Sequence, residues 1–175
     1  MKPPAPSEAK TRHMTFDFKK FRKDAETFKA AYEAADRIQK SIGAKFISVS
    51  HEECIYEYTV VAAHFNPNGL VHGGALFTAM DSCQGAFMHF IVDEVYIYPV
   101  TGTATIRYEH PVTAGVVSIR SFLERREKRK YFVTSLASQA NTIVAKLDEV
   151  WIAVSDETLL RATRGVVRHR SSCSN

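Results

Sequence analysis

The chain has 175 residues, 45% hydrophobic and 24% charged, a balance that suits one globular domain with a substantial core and excludes a disordered or fibrous polymer. Its formal net charge of +4 comes largely from two clusters, Arg125, Arg126, Lys128, Arg129 and Lys130 in the middle and Arg161, Arg164, Arg168 and Arg170 near the end. Neither is interleaved with aromatic side chains, so no nucleic-acid partner is expected. The three cysteines, Cys54, Cys83 and Cys173, follow no disulfide or metal-ligand spacing; no metal site is expected, and a reducing, cytoplasmic compartment is.

Residues 1–16, with Pro3, Pro4 and Pro6, read as a flexible leader without the apolar stretch of a secretory signal. Its Glu8, Lys10 and Arg12 do not separate cytoplasm from mitochondria. From 17 to 42, Phe18, Phe21, Ala25, Phe28, Tyr32, Ala35, Ile38 and Ile42 recur at three- and four-residue spacing among charged residues, which predicts one amphipathic helix stopped by Gly43. Its apolar stripe is expected to pack on the domain, to cover a site, or to meet another subunit. The β-branched and aromatic residues between Lys45 and Phe65 predict two strands. Asn-Pro and Asn-Gly pairs at 66–69 predict a loop, and a mostly apolar helix follows from Gly73 to about Val92. Asp81, Gln84 and His89 interrupt that helix before it reaches the length of a bilayer span, so no transmembrane segment is expected. Four further strands, 101–108, 116–123, 131–139 and 143–154, are expected to pair as an antiparallel meander. The organisation is then one domain over residues 17–156, with a basic tail at 157–175.

The chemistry concentrates at the entrance to the apolar helix. Gly73 and Gly74 open the backbone amides to close approach, and the helix places a partial positive charge there, a combination that stabilises an oxyanion. Asp81 is a carboxylate among apolar neighbours, a costly placement unless the group is paired or used. Eight helical residues separate Gly73 from Asp81, roughly 12 Å, which is too far for both to touch one carbonyl. A two-fold dimer resolves this by setting Asp81 of one subunit opposite Gly73 of its partner.

Asn66, His72, Gly73, Gly74 and Asp81, in that order and spacing, resemble the motif of the hotdog-fold acyl-CoA thioesterases, above all the phenylacetate-pathway and mammalian thioesterase-superfamily type. The resemblance covers about residues 44–154. It implies an α+β hotdog fold: a long central helix wrapped by an antiparallel sheet of about six strands, here with the N-terminal helix added. It also implies hydrolysis of an acyl-CoA thioester to free acid and coenzyme A, without a further cofactor. Asp81 would be nucleophile or general base, and the Gly73 amide the oxyanion donor. Asn66 would orient the water or the carboxylate, and His72 would hold the loop or bond near the thioester oxygen. Thr101 falls where the family has a Ser or Thr that helps hold the attacking water. For the substrate, Gly74 is an expected contact, Phe77, Met80 and Phe87 are expected to line an acyl channel, and Arg126, Arg129 and Lys130 are the expected phosphate contacts. The family also suggests a dimer or a dimer of dimers.

Two other readings were weighed. His64-Phe65 resembles the His-Phe opening of hotdog β-hydroxyacyl carrier-protein dehydratases, but the acid that chemistry requires falls near Thr78, which is no carboxylate. A non-hydrolytic acyl-CoA or ligand-binding hotdog protein would not need Asp81.

Overall fold

A computed structural model describes residues 18–92 and 98–155; the expected leader and basic tail lie outside the described residues. The order is α1 (Ala25–Ala35), α2 (Arg37–Ser41), β1 (Ala44–Val49), β2 (Glu53–Thr59), α3 (Gly73–Ile91), β3 (Tyr98–Tyr108), β4 (Val116–Glu127), β5 (Lys130–Gln139) and β6 (Thr142–Val154), with 3-10 turns at Lys19–Phe21 and Ala62–His64. This is the expected α+β hotdog architecture, a six-stranded antiparallel sheet holding one long helix.

Two expectations are corrected. The single amphipathic helix over 17–42 is divided. Asp36 leaves the helical region at φ −81°, ψ 103°, its N–H still bonded to the Tyr32 carbonyl, and its carboxylate accepts the amides of Ile38 and Gln39. An aspartate that can satisfy the open amides of a new first turn restarts the helix there, as Asp24 starts α1 by accepting the Thr27 amide. Apolar periodicity runs through the break unchanged, so the pattern alone could not reveal it.

The four-strand meander is also not formed. The sheet order is β1-β2-β4-β5-β6-β3: β4 returns to pair with β2, while β3 crosses to the far edge and pairs with β6. The remaining turns are local. The β5–β6 hairpin turns through Ala140 and Asn141 with φ of 48° and 68°, the pair of left-handed residues that a two-residue hairpin needs.

The core lies between α3 and the concave face of the sheet. Ala79, Met80, Cys83, Ala86, Phe87 and Met88 are fully buried, which explains the near absence of a polar face over the second half of α3. Gln84 is buried as well, but satisfied: it accepts the Trp151 indole N–H at 2.9 Å and donates to the Leu147 carbonyl at 3.2 Å, tying α3 to β6. Phe18, Phe28 and Tyr32 pack as rings around His89 and Phe46, so the first half of the N-terminal apolar stripe is spent on the core, whereas Ile38 in α2 stays exposed. Among the described residues no helix is long and apolar enough to cross a membrane.

The burial of His89 carries a stability prediction. Removal from water, followed by the nearby Arg22 charge, lowers its pKa from 6.5 to about 3. The unfolded chain therefore binds a proton between those values that the folded chain does not, and stability must fall as pH drops below about 6.5. Chemical denaturation of the wild type at pH 7 and pH 5 is expected to show a loss of stability that shrinks in His89→Phe. Equal losses in both proteins would show that His89 is not the source.

Candidate active site

Asp81 sits two turns into α3, half-buried, where β3 passes. The Thr101 hydroxyl lies 3.4 Å from its Oδ1, long for an O–H donor and therefore a weak bond. Burial raises the Asp81 carboxyl above its ordinary value; the Thr101 hydroxyl and the neighbouring Glu149 carboxyl oppose that rise, and the Asp36 charge adds to it. Thr101 reaches the site because β3 slips register between Thr101 and Thr103 around Gly102. A side chain at Gly102 would meet the Val150 carbonyl at 3.1 Å, so the bulge is confined to a residue without one. The bulge leaves Thr101 facing α3 opposite Trp151 and Ala104 facing it opposite Glu149.

At the other end of the site, His72 caps α3. Its Nδ1 accepts the Gly74 amide at 2.9 Å, which fixes the tautomer with the proton on Nε2. Gly74 N–H is thereby occupied within the chain. Gly73 N–H, one residue earlier at the helix entrance, meets no acceptor among the described residues, so it is an amide open to a ligand acceptor. The Gly73 carbonyl accepts the Tyr108 hydroxyl at 2.8 Å from the other end of β3. Asn66 builds the loop that leads in: its Oδ1 accepts the amides of Asn68 at 2.9 Å and Leu70 at 3.3 Å. That use leaves only the Nδ2 amide group for a ligand. Asn66, Leu70, Gly73, Leu76 and Tyr108 line an open groove of about 340 Å³.

The helix is continuous from Gly73 to Ile91, so the separation of roughly 12 Å along its axis between Gly73 and Asp81 stands. Of the expected site residues, Asp81 and Thr101 meet at one end, and Asn66, His72, Gly73 and Gly74 meet at the other. Phe77 is half-buried one turn before Asp81 on the same side of α3. Met80 and Phe87 are fully enclosed in the core, away from any open groove.

Arg126, Arg129 and Lys130 surround the exposed β4–β5 turn, where Lys128 adopts φ 53°. The register Arg126↔Tyr131, Tyr131↔Trp151 and Trp151↔Thr101 forms one row across four strands. Three strand spacings, about 14 Å, thus separate Arg126 from the residue that touches Asp81. The row that links this turn to Thr101 is invisible in the sequence, because its last step is β3 joining β6.

Sequence reasoning passed over two neighbours of the site, Tyr108 and Glu149. Glu149 is only 2% exposed and occupies an inward position of β6, between Leu147 and Trp151. Alternation along β6 was the available signal: an acidic residue in phase with buried Leu147, Trp151 and Ala153 is out of place. The His64 alternative fares poorly. His64 Nδ1 is 2.7 Å from the Tyr58 hydroxyl, and Thr78, where an acid would be required, donates to the Gly74 carbonyl. Among the described residues no His, Cys, Asp and Glu cluster could hold a metal.

A long central helix in an antiparallel sheet with a carboxylate two turns inside it defines a hotdog-fold protein. Residues 68–146, the segment carrying Gly73, Asp81 and Thr101, match the family model described as the thioesterase superfamily. Among solved structures, the chain is similar to a conserved protein of Pseudomonas aeruginosa (TM-score 0.64, 23% identity, covering 68% of this chain and 94% of that one). It is also similar to a putative thioesterase, a phenylacetic acid degradation-related protein of Ralstonia eutropha (0.62, 22%, covering 66% and 89%). The PaaI protein of the Escherichia coli phenylacetic acid degradation operon superposes with TM-score 0.66 at 20% identity, covering 72% and 90%. No curated protein matches the chain.

Proposed function

We propose that the protein is an acyl-CoA thioesterase whose active sites form between two copies of the chain, each site taking Asp81 from one subunit and the Gly73 amide from the other. The observation that carries this reading is the combination of an open Gly73 N–H with a carboxylate that the same helix holds roughly 12 Å away. The edge strand β3 supports the arrangement. It is exposed over Val100–Thr105, has no strand on its outer side among the described residues, and touches Asp81 through Thr101 and Gly73 through Tyr108. Antiparallel pairing of two such edges runs the Thr101 end of β3 in one copy alongside the Tyr108 end of β3 in the other. Asp81 then approaches the second copy's Gly73, and an otherwise long unpaired edge is covered.

In this site the thioester carbonyl oxygen points at the Gly73 N–H, reinforced by the α3 dipole. Asp81, ionised, attacks the carbonyl carbon or removes a proton from water that does so; either way thiolate leaves and water supplies the hydroxyl of the acid. Thr101 and the Asn66 amide group hold the attacking water or the carboxylate. The groove beside Gly73 and the exposed part of Phe77 receive the acyl group, and the basic turn meets the coenzyme A phosphates. Purified protein is expected to release free thiol from acyl-CoA substrates in a panel spanning aliphatic and aromatic acyl groups. Absence of thiol release across the panel would reject the reading.

A further inference from the structure

The mechanism above leaves one buried carboxyl among the described residues unused. Glu149 is 2% exposed, yet neither carboxyl oxygen makes a hydrogen bond of ordinary geometry with a described residue. Nothing in the packing requires it: its cross-strand partners are Ala104 on β3 and Val133 on β5, neither able to bond it. A buried carboxylate without donors is among the costlier placements in a protein, so the group is neutral or has a partner of its own. The groups acting on it are few. Asp81 faces it from α3, the Trp151 indole is its polar neighbour on β6, and the next charge, Asp36, acts on Asp81.

We propose that Glu149, carrying its proton, is the positioning residue for Asp81: its carboxyl O–H donates to the Asp81 carboxylate, keeping that group ionised and fixed in direction for attack. The inference rests on reading Asp81 as the hydrolytic carboxylate. A protonated acid is the one form of Glu149 that supplies a donor, and Thr101 at 3.4 Å is too weak to hold Asp81 alone. Two nearby carboxyls ionise in sequence, not together. Burial first, and then the Asp81 charge, raise Glu149 from 4.5 to about 8, while its bond lowers Asp81. The working pair, Asp81 ionised with Glu149 protonated, therefore exists between the two ionisations. Above about pH 8 a second negative charge appears beside the attacking group and the bond is lost.

The test compares pH profiles of kcat/KM in wild type and Glu149→Gln, which retains a donor but cannot ionise. Wild type is expected to lose activity on the alkaline side near pH 8, whereas Glu149→Gln keeps its acid limb and lacks that alkaline loss. Superimposable profiles overturn the proposal. A second arm needs no activity and no Glu149 variant: carboxyl carbon resonances are titrated in wild type and Asp81→Asn. Glu149 is expected to titrate at least about one pH unit lower once the Asp81 charge is gone, and an unchanged titration overturns the pairing. If wild type hydrolyses no thioester, the parent reading fails, while the second arm still decides whether the two carboxyls are paired.

Discussion

Asp81→Asn is expected to lower kcat for thioester hydrolysis by at least about 10³-fold, because it removes the group that attacks or activates water and puts nothing basic in its place. The same change is expected to leave the protein as stable as wild type at neutral pH, or more so. Burial raises the Asp81 carboxyl above its ordinary value, so between that ordinary value and the raised one the folded chain holds a proton that the unfolded chain releases. Stability contributed by the neutral form is lost as pH rises through that window, and an ionised Asp81 at neutral pH is a cost. Asparagine has nearly the same shape and no charge. Loss of turnover together with an unchanged or raised Tm is therefore the signature of a group kept for chemistry. Thiol release within tenfold of wild type from the folded variant would remove Asp81 from the mechanism.

The second large effect is expected at Gly73. A Cβ there would lie 2.8 Å from the Tyr108 Oη and 2.9 Å from its Cζ, so Gly73→Ala must push the tyrosine ring aside. Tyr108 is 51% exposed and can move, so the fold should survive, and alanine suits the first turn of a helix better than glycine does. What changes is access to the Gly73 N–H: the displaced ring and the new methyl crowd the groove where the carbonyl oxygen must sit. A drop of about 10²-fold in kcat/KM is expected, the usual scale for loss of one oxyanion donor. Steady-state kinetics on Gly73→Ala checks this, and activity within twofold of wild type would place the oxyanion elsewhere.

Much of this was legible in the sequence, for identifiable reasons. Helix α3 announced itself by unbroken apolar composition, and Asp81 by being the exception within it. Six strands are legible because β-branched and aromatic residues concentrate in each. What stayed hidden depended on contacts distant in the chain. The break at Asp36 preserves the apolar period on both sides, so only the capping bonds reveal it. The pairing of β3 with β6 is not encoded in either strand's composition, and it brings Thr101 and Tyr108 beside α3. Residue type and spacing single out His72 and Asn66. The structure adds that one atom of each is already committed, His72 Nδ1 to the cap and Asn66 Oδ1 to its own turn. Their free atoms, Nε2 and Nδ2, set the limits of what they can do for a substrate.

The central claim is that one chain supplies only half of each site, and subunit exchange tests it most directly. Asp81→Asn and Gly73→Ala proteins are mixed in equal amounts, dissociated and reassociated, and assayed for thiol release. Random pairing makes about half of the dimers mixed, and each mixed dimer has one site with both defects and one with neither, so about a quarter of wild-type activity should return. If both groups of a site came from the same chain, every site would carry one defect. The mixture would then show only the average of its inactive parents despite demonstrated exchange, and the shared site would be contradicted.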